Sequence, residues 1–291
     1  FMELFTTQVI NGITLGMLYG LAALGFTMVY KALGYLNFSH STTITMGALV
    51  IYTVIDQCNI PYIAAIPLVL VVMLFYGFVI EKVLFKRFRQ ASPLTFMLVS
   101  ISLSTVLVNI CQLIFGAQPR GLSNCFPNWN LNLLGVSVPM NKICIFLIAV
   151  LMLVLLQLIF MKTKFGLALR LASEDPDTAS MMGIKIFHTR AATFSITAGL
   201  GAMAGMLVAP LYSVTIDLGS KMALKIFIAA VVGGLGNFVG AVAGGLLVGV
   251  AETMSSTYIS SSYKDLIVYV IGIVVLAIFP YGIFRRVANK V

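Results

Sequence analysis

Apolar positions along this chain come in long unbroken runs, where a soluble helix would show a 3.6-residue stripe and a half-buried strand an alternation. Crossing a bilayer as a helix takes about 20 such residues. Runs of that kind cover residues 9–30, 62–84, 94–115, 143–161, 191–212 and 266–284, with a shorter one at 42–55. The segment 223–254 differs, because Gly233-Gly234-Leu235-Gly236-Asn237 separates two apolar halves, 223–232 and 238–250. Non-helical backbone at membrane depth is tolerated only inside protein or against a wet cavity, so both halves are expected to face the bundle interior. The pattern predicts an all-α polytopic membrane protein, a bundle of about eight transmembrane helices with a Gly-broken helical hairpin near the C-terminus. It leaves open whether residues 42–55 and 223–254 cross fully or re-enter.

The longest polar interruption is FGLALRLASEDPDTASMMGI, residues 165–184. Asp175-Pro176 is a helix-start signal: Asp caps free N–H groups, and Pro suits the first helical position, where it has no donor to lose. Glu174, Asp175 and Asp177 crowd the positive end of the helix dipole, and Gly183 ends the helix. The expected product is a short helix over 176–182 carrying Ala179, Met181 and Met182. So short a helix is not stable alone and must be held by the membrane bundle or by a soluble partner.

Glycines recur at four-residue steps, at Gly12, Gly16 and Gly20, at Gly201 and Gly205, and at Gly240, Gly244, Gly245 and Gly249. Such steps let helix backbones approach closely and predict a tightly packed bundle.

Composition agrees with the pattern. The chain has 291 residues, 60% hydrophobic and 9% charged, against about 25% charged in a soluble domain. Its 18 basic and nine acidic residues give a net charge of +9. The basic residues cluster beside apolar spans at Lys82, Lys86, Arg87 and Arg89, at Lys162, Lys164, Arg170, Lys185 and Arg190, and at Arg285, Arg286 and Lys290. That is the marking of cytoplasmic loops, so the charge reads as topology and no nucleic-acid partner is expected. With those loops inside, residues 56–61 and 116–141, including Trp129, are external, the N-terminus is outside and the C-terminus is cytoplasmic. FMELFTTQ lacks the basic start and cleavage site of a signal peptide, so the first run is expected to be a retained span. Cys58, Cys111, Cys125 and Cys144 show no metal spacing and are expected to be reduced; a Cys125 disulfide to one of the others is left open.

By sequence, ionisable groups are nearly absent from the spans, which argues against coupling to an ion gradient. Glu252 is the acidic residue nearest membrane depth. The polar patch at a span boundary is Asn37-Phe38-Ser39-His40-Ser41-Thr42-Thr43, followed by Thr45. These side chains would line a passage or bond back to their own helix carbonyls. The candidate translocation path is Asn37, Ser39, His40, Ser41 and Thr42 with Gly233, Gly234, Gly236 and Asn237. The glycine turn is not a nucleotide loop, since no Lys-Ser/Thr follows.

Three stretches carry a family resemblance. The opening NGITLGMLYGLAALGFTMVYKALGYLNFSHSTTITMGA and the later MALKIFIAAVVGGLGNFVGAVAGGLLVGVAE resemble the LivH-type permeases of branched-chain amino-acid ABC importers. So does the central pattern Arg170, Ala172, Glu174, Asp175, Ala179, Gly183, Ile184. Ser39 and Ser41 stand where the family pattern NFAHG has Ala and Gly.

The resemblance implies a non-catalytic permease, one transmembrane domain over 1–291 with a cytoplasmic coupling loop at 162–190, in the bacterial cytoplasmic (inner) membrane. Its implied partners are a second homologous permease, two cytoplasmic ATP-binding subunits and an extracytoplasmic substrate-binding protein, besides membrane lipid. No cofactor is implied in this chain; ATP and Mg would sit in the ATPases. Arg170, Glu174, Asp175, Pro176, Ala179, Met182 and Gly183 would form the coupling element for alternating access. The expected cargo is branched-chain or similar aliphatic amino acids. A urea or short-amide importer permease and a passive channel are the alternatives, and the capped cytoplasmic helix speaks against the channel.

Overall fold

The computed structural model describes residues 2–88, 91–122, 126, 129–133 and 136–284. Helices run α1 Met2–Leu33, α2 His40–Cys58, α3 Tyr62–Val83, α4 Pro93–Phe115, α5 Met140–Lys162, α6 Lys164–Glu174, α7 Pro176–Met181, α8 Ile186–Val208, α9 Leu218–Gly233, α10 Phe238–Tyr258 and α11 Lys264–Ile278. Six of these, α1, α3, α4, α5, α8 and α10, are long and apolar enough to cross a membrane. The chain is therefore an all-α polytopic membrane protein. α2 has 19 residues but a polar first turn, HSTT. α9 and α11 have 16 and 15 residues, reaching only about 24 and 22 Å at 1.5 Å per residue.

Burial sorts the helices into centre and rim. In their most apolar windows α1 is 94% and α8 83% buried, while α3, α4 and α5 are 22%, 22% and 28% buried. The apolar outer faces of α3, α4 and α5, with Val71, Phe75, Leu98, Leu113 and Leu151 exposed, suit lipid tails or a partner subunit.

The glycine steps do what their spacing predicts. α1 and α10 form the most extensive helix pair. A Cβ on Gly12, Gly16 or Gly20 would lie 2.8, 2.7 and 3.1 Å from the Cα atoms of Val250, Leu246 and Val242. Gly245 and Gly249 of α10 face the backbone of Gly20 and Gly16 in return. α9 and α10 close in the same way, Gly233 against Gly240 and Gly244 against Ala229.

The break at 233–237 is a tight turn between α9 and α10, with Gly234 and Gly236 at φ +95° and +88°. Asn237 caps α10, its Oδ1 accepting from Gly240 N at 3.2 Å, and its amide donates to Phe284 O at 2.8 Å. Ile283 N donates to Val232 O at 2.8 Å, so the chain leaving α11 folds over the turn. The hairpin leaves and returns on one side.

Lys31 at the end of α1 lies 5.4 Å from the Phe238 ring, Phe160 near the end of α5 lies 4.7 Å from it, and Lys86 lies 5.4 Å from Phe187 at the start of α8. The basic termini thus share one end of the bundle with α6, α7 and the α9–α10 turn. At the other end a two-stranded antiparallel hairpin, β1 Asn130–Leu133 and β2 Val136–Pro139, precedes α5. Sequence reading treats that stretch only as an Asn/Pro-rich loop, although NLNL and VSVP alternate with a period of two. Arg120 and Val214 form an isolated bridge there. Of the cysteines, Cys58, Cys111 and Cys144 form no disulfide among the described residues; Cys125 lies outside them, as do Arg89, Arg285, Arg286 and Lys290.

Gly16→Ile forces a branched side chain against the α10 backbone and is expected to destabilise by at least about 1–3 kcal/mol. Gly121→Ala, where a Cβ would meet nothing within 4 Å, is expected to be neutral. Thermal unfolding of the detergent-solubilised protein, followed by loss of the monodisperse chromatographic peak, checks both.

Candidate functional site

Residues 34–39 return from the end of α1 to start α2 inside the bundle. His40 is 2% exposed, and its Nε2 donates to Ala22 O of α1 at 2.9 Å. A Cβ on Gly25 would lie 2.5 Å from the imidazole, so glycine makes room for that ring. Asn37 Oδ1 accepts from the backbone N and Oγ of Ser39 at 3.1 and 2.7 Å. Ser41 Oγ donates to Phe38 O at 3.0 Å, Thr43 Oγ1 to His40 O at 2.6 Å, and Thr42 Oγ1 lies 2.6 Å from Ser104 Oγ of α4. Thr45 Oγ1 accepts from Gly219 N of α9 at 2.9 Å. The patch is a satisfied polar junction tying α1, α2, α4 and α9 together. The space between Asn37, Ser39, His40 and Thr43 on one side and α3 and α8 on the other, about 20 Å³, holds about one water.

Asn37, Ser39, His40, Ser41 and Thr42 are therefore brought together at this junction. Gly233, Gly234, Gly236 and Asn237 form a second group, packed against Gly240, Gly282 and Phe284. The two groups have different neighbours.

Sequence reading passed over a third place. Lys225 of α9, 6% exposed, sits 2.6 Å from Glu252 Oε1 of α10 and 2.8 Å from Asp265 Oδ1 of α11. Tyr19 of α1 donates to Glu252 Oε2 at 2.7 Å, and Lys264 lies 3.7 Å from Oε1. One ionic cluster thus links α1, α9, α10 and α11, which corrects the expectation of nearly ion-free spans. Buried charges persist in such surroundings only when paired. Beside the cluster opens a polar cavity of about 340 Å³, lined by Asn11, Thr14, Lys142, Tyr212, Glu252 and Lys264 among others. A second cavity of about 410 Å³, between α1, α5 and α10, is almost wholly apolar.

At the opposite end, Thr163 caps α6 by accepting from Gly166 N at 3.2 Å. α6 buries Leu169 and Ala172. Asp175 caps α7, its Oδ1 accepting from Asp177 N and Thr178 N at 3.0 and 3.1 Å, while its Oδ2 accepts from the Thr178 hydroxyl. Those bonds, the Thr178 hydroxyl first, hold the Asp175 carboxyl below the usual carboxylate range. The cap is therefore fully present above that range and is lost as pH falls through the lowered value. Ala179 is 1% exposed, whereas Met181 and Met182 are 87% and 67% exposed. Gly183, at φ +83°, ends the helix. Arg170 Nε donates to Gly166 O at 3.3 Å and so braces its own helix. The side chains of Glu174 and Pro176 lie outside those described.

The model of the family described as "Branched-chain amino acid transport system / permease component" matches residues 8–276. The chain is similar to the high-affinity branched-chain amino acid transport system permease protein LivH of Escherichia coli, 32% identical over 295 residues, 97% of this chain and 96% of that protein. BraD of Pseudomonas aeruginosa, described as a high-affinity permease protein for the same transport, is 30% identical over the same shares of the two chains. A probable branched-chain amino acid transport permease protein of Methanocaldococcus jannaschii is 30% identical over 285 residues, 90% of this chain and 87% of that one.

Lys225→Met leaves Glu252 buried without its closest partner and is expected to destabilise by about 3–5 kcal/mol. Adding Glu252→Gln removes the more deeply buried of the two carboxylates left unpaired and is expected to restore part of the loss, because the buried Oδ1 of Asp265 still lacks its lysine. Thermal stability of the single and double variants measures both effects.

Proposed function

We propose a role for this chain within the family to which it belongs, the permease components of branched-chain amino acid transport systems. It is the membrane permease subunit of an ABC importer, and its cargo is a branched-chain or similar aliphatic amino acid. The reading of the cargo rests on relatives that match almost end to end and are described as branched-chain amino acid transport permeases.

The mechanism rests on α7. A six-residue helix is too short to persist by itself. Here it is capped by Asp175, anchored by Ala179 and left with two methionines facing away from the bundle. Flexible, polarisable methionines fit a groove on a soluble partner. In the proposed role, residues 162–190 are the cytoplasmic coupling loop of a single permease domain spanning 1–291. Closure of two partner ATPases pulls on α7, and α6 and α8, on which α7 packs, carry the movement into the bundle. ATP and Mg belong to those subunits, and this chain hydrolyses nothing. A second homologous permease completes the membrane unit, and an extracytoplasmic binding protein delivers cargo. The N-terminus lies outside the bacterial cytoplasmic membrane and the C-terminus inside.

Alternating access then requires the junction at Asn37–Thr42 and the turn at Gly233–Asn237 to open, since the junction is closed in this conformation. Its hydroxyls already satisfy one another and would exchange those bonds for water when a passage forms.

Charge introduction at the exposed tip, Met181→Asp with Met182→Asp, tests the coupling. Both side chains are solvent-facing, so the fold is expected to survive. ATP-driven uptake in reconstituted vesicles is expected to fall by about tenfold or more, the loss of one buried hot-spot contact, with the ATPases no longer co-purifying. Wild-type uptake in that variant would sink the assignment of α7.

A further inference from the structure

The polar cavity beside Lys225 and Glu252 is absorbed by nothing above. We infer that it is a binding subsite for a free α-amino acid, taking the carboxylate at Lys142 and the ammonium at Glu252. The inference rests on the importer reading and names a contact site for its cargo on the permease itself.

Lys142, near the start of α5, hydrogen-bonds Asn11 Oδ1 of α1 at 2.6 Å. Among the described residues no carboxylate lies within ion-pair distance of it. Within the cavity and its cluster, three lysines, Lys142, Lys225 and Lys264, face two carboxylates, Glu252 and Asp265. One positive charge is therefore uncompensated, and it is the half-buried one that opens onto the cavity. A carboxylate is the small group that completes it. Glu252, 5% exposed, presents its charge to the same space while its oxygens are held by Lys225 and Tyr19. Charges of both signs line one cavity, so a zwitterion can set its carboxylate at Lys142, which lacks a counter-charge among the described residues, and its ammonium at the Glu252 carboxylate.

Size and walls agree. About 340 Å³ accommodates an amino acid of leucine size, and Leu15 and Leu211 give an apolar wall for an aliphatic side chain. Position agrees too. Lys142 and Lys162 stand at opposite ends of α5, so the cavity lies one helix length from α6 and α7. In the proposed topology that is the face onto which a binding protein releases cargo.

The test uses the intact complex in lipid nanodiscs without ATP and tritiated L-leucine as the probe. Saturable binding is expected. Leucinamide, which lacks the carboxylate, and isovalerate, which lacks the ammonium, are each expected to compete roughly tenfold less well or worse, the size of one lost charged hydrogen bond. Lys142→Met should weaken leucine binding by the same factor, and Lys142→Arg should keep it, which separates a lost charge from a damaged fold. Absence of wild-type binding, wild-type affinity in Lys142→Met, or equal competition by either analogue would overturn the subsite. ATP-driven uptake of leucine is measured on the same preparations. Uptake without this binding overturns the subsite alone; Lys142-dependent binding without any uptake supports the subsite and overturns the importer reading.

Discussion

The close approach of α1 and α10 is the constraint from which the rest of the bundle follows. Lipid tails are as apolar as leucine, so apolar side chains gain nothing by meeting each other in a membrane, and association depends on packing and polar contacts. Gly12, Gly16 and Gly20 bring the α1 backbone onto Val250, Leu246 and Val242, and Gly245 and Gly249 return the approach. With that pair fixed, Tyr19 of α1 reaches Glu252 of α10. Glu252 in turn holds Lys225, so α9 is seated by a charge whose position the glycines determine.

The bundle handles buried polarity in two ways. At the start of α2, hydroxyls, an amide and an imidazole satisfy one another and nearby carbonyls, with no net charge. Such bonds are individually modest and exchangeable for water, which suits the opening proposed for this junction. The Lys225 cluster is ionic and joins four helices, and removing one member leaves a charge stranded. It holds α9, α10 and α11 together. The fold therefore places its exchangeable contacts at the start of α2 and its costly ones between α9, α10 and α11.

How much was legible in the sequence depended on how local the cause was. The long spans follow from apolar run length. The α9–α10 turn follows from Gly233 to Gly236, and the α7 cap from Asp175-Pro176, because each acts within a few residues. The α2 start was visible as a polar patch, but not its closure, which depends on Gly25 in a different helix leaving room for His40. Lys225 went unnoticed because its partners lie 27 and 40 positions away at Glu252 and Asp265, and only antiparallel packing of α9 on α10 aligns them. The β-hairpin was hidden by its setting, two four-residue alternations inside a loop rich in Asn and Pro.

The roles proposed for the two ends of the molecule follow from its charge distribution. Lys31, Lys82, Lys86 and Lys162 gather where α7 projects, and three of them lie against aromatic rings, Phe238, Phe78 and Phe187. These cations anchor helix ends and leave the surface at α7 to the apolar tip of Met181 and Met182, a contact without charge specificity that tolerates movement. At the far end, lysines are instead turned inward with Glu252 and Asp265, where charge distinguishes a ligand by its sign and spacing. In the proposed roles, the contact that transmits motion is apolar, whereas the one that selects is ionic. Between them α5 and α8 run the full length, and α6 and α7 pack against this pair, so the pull proposed at α7 would have helices that already span the distance to act through.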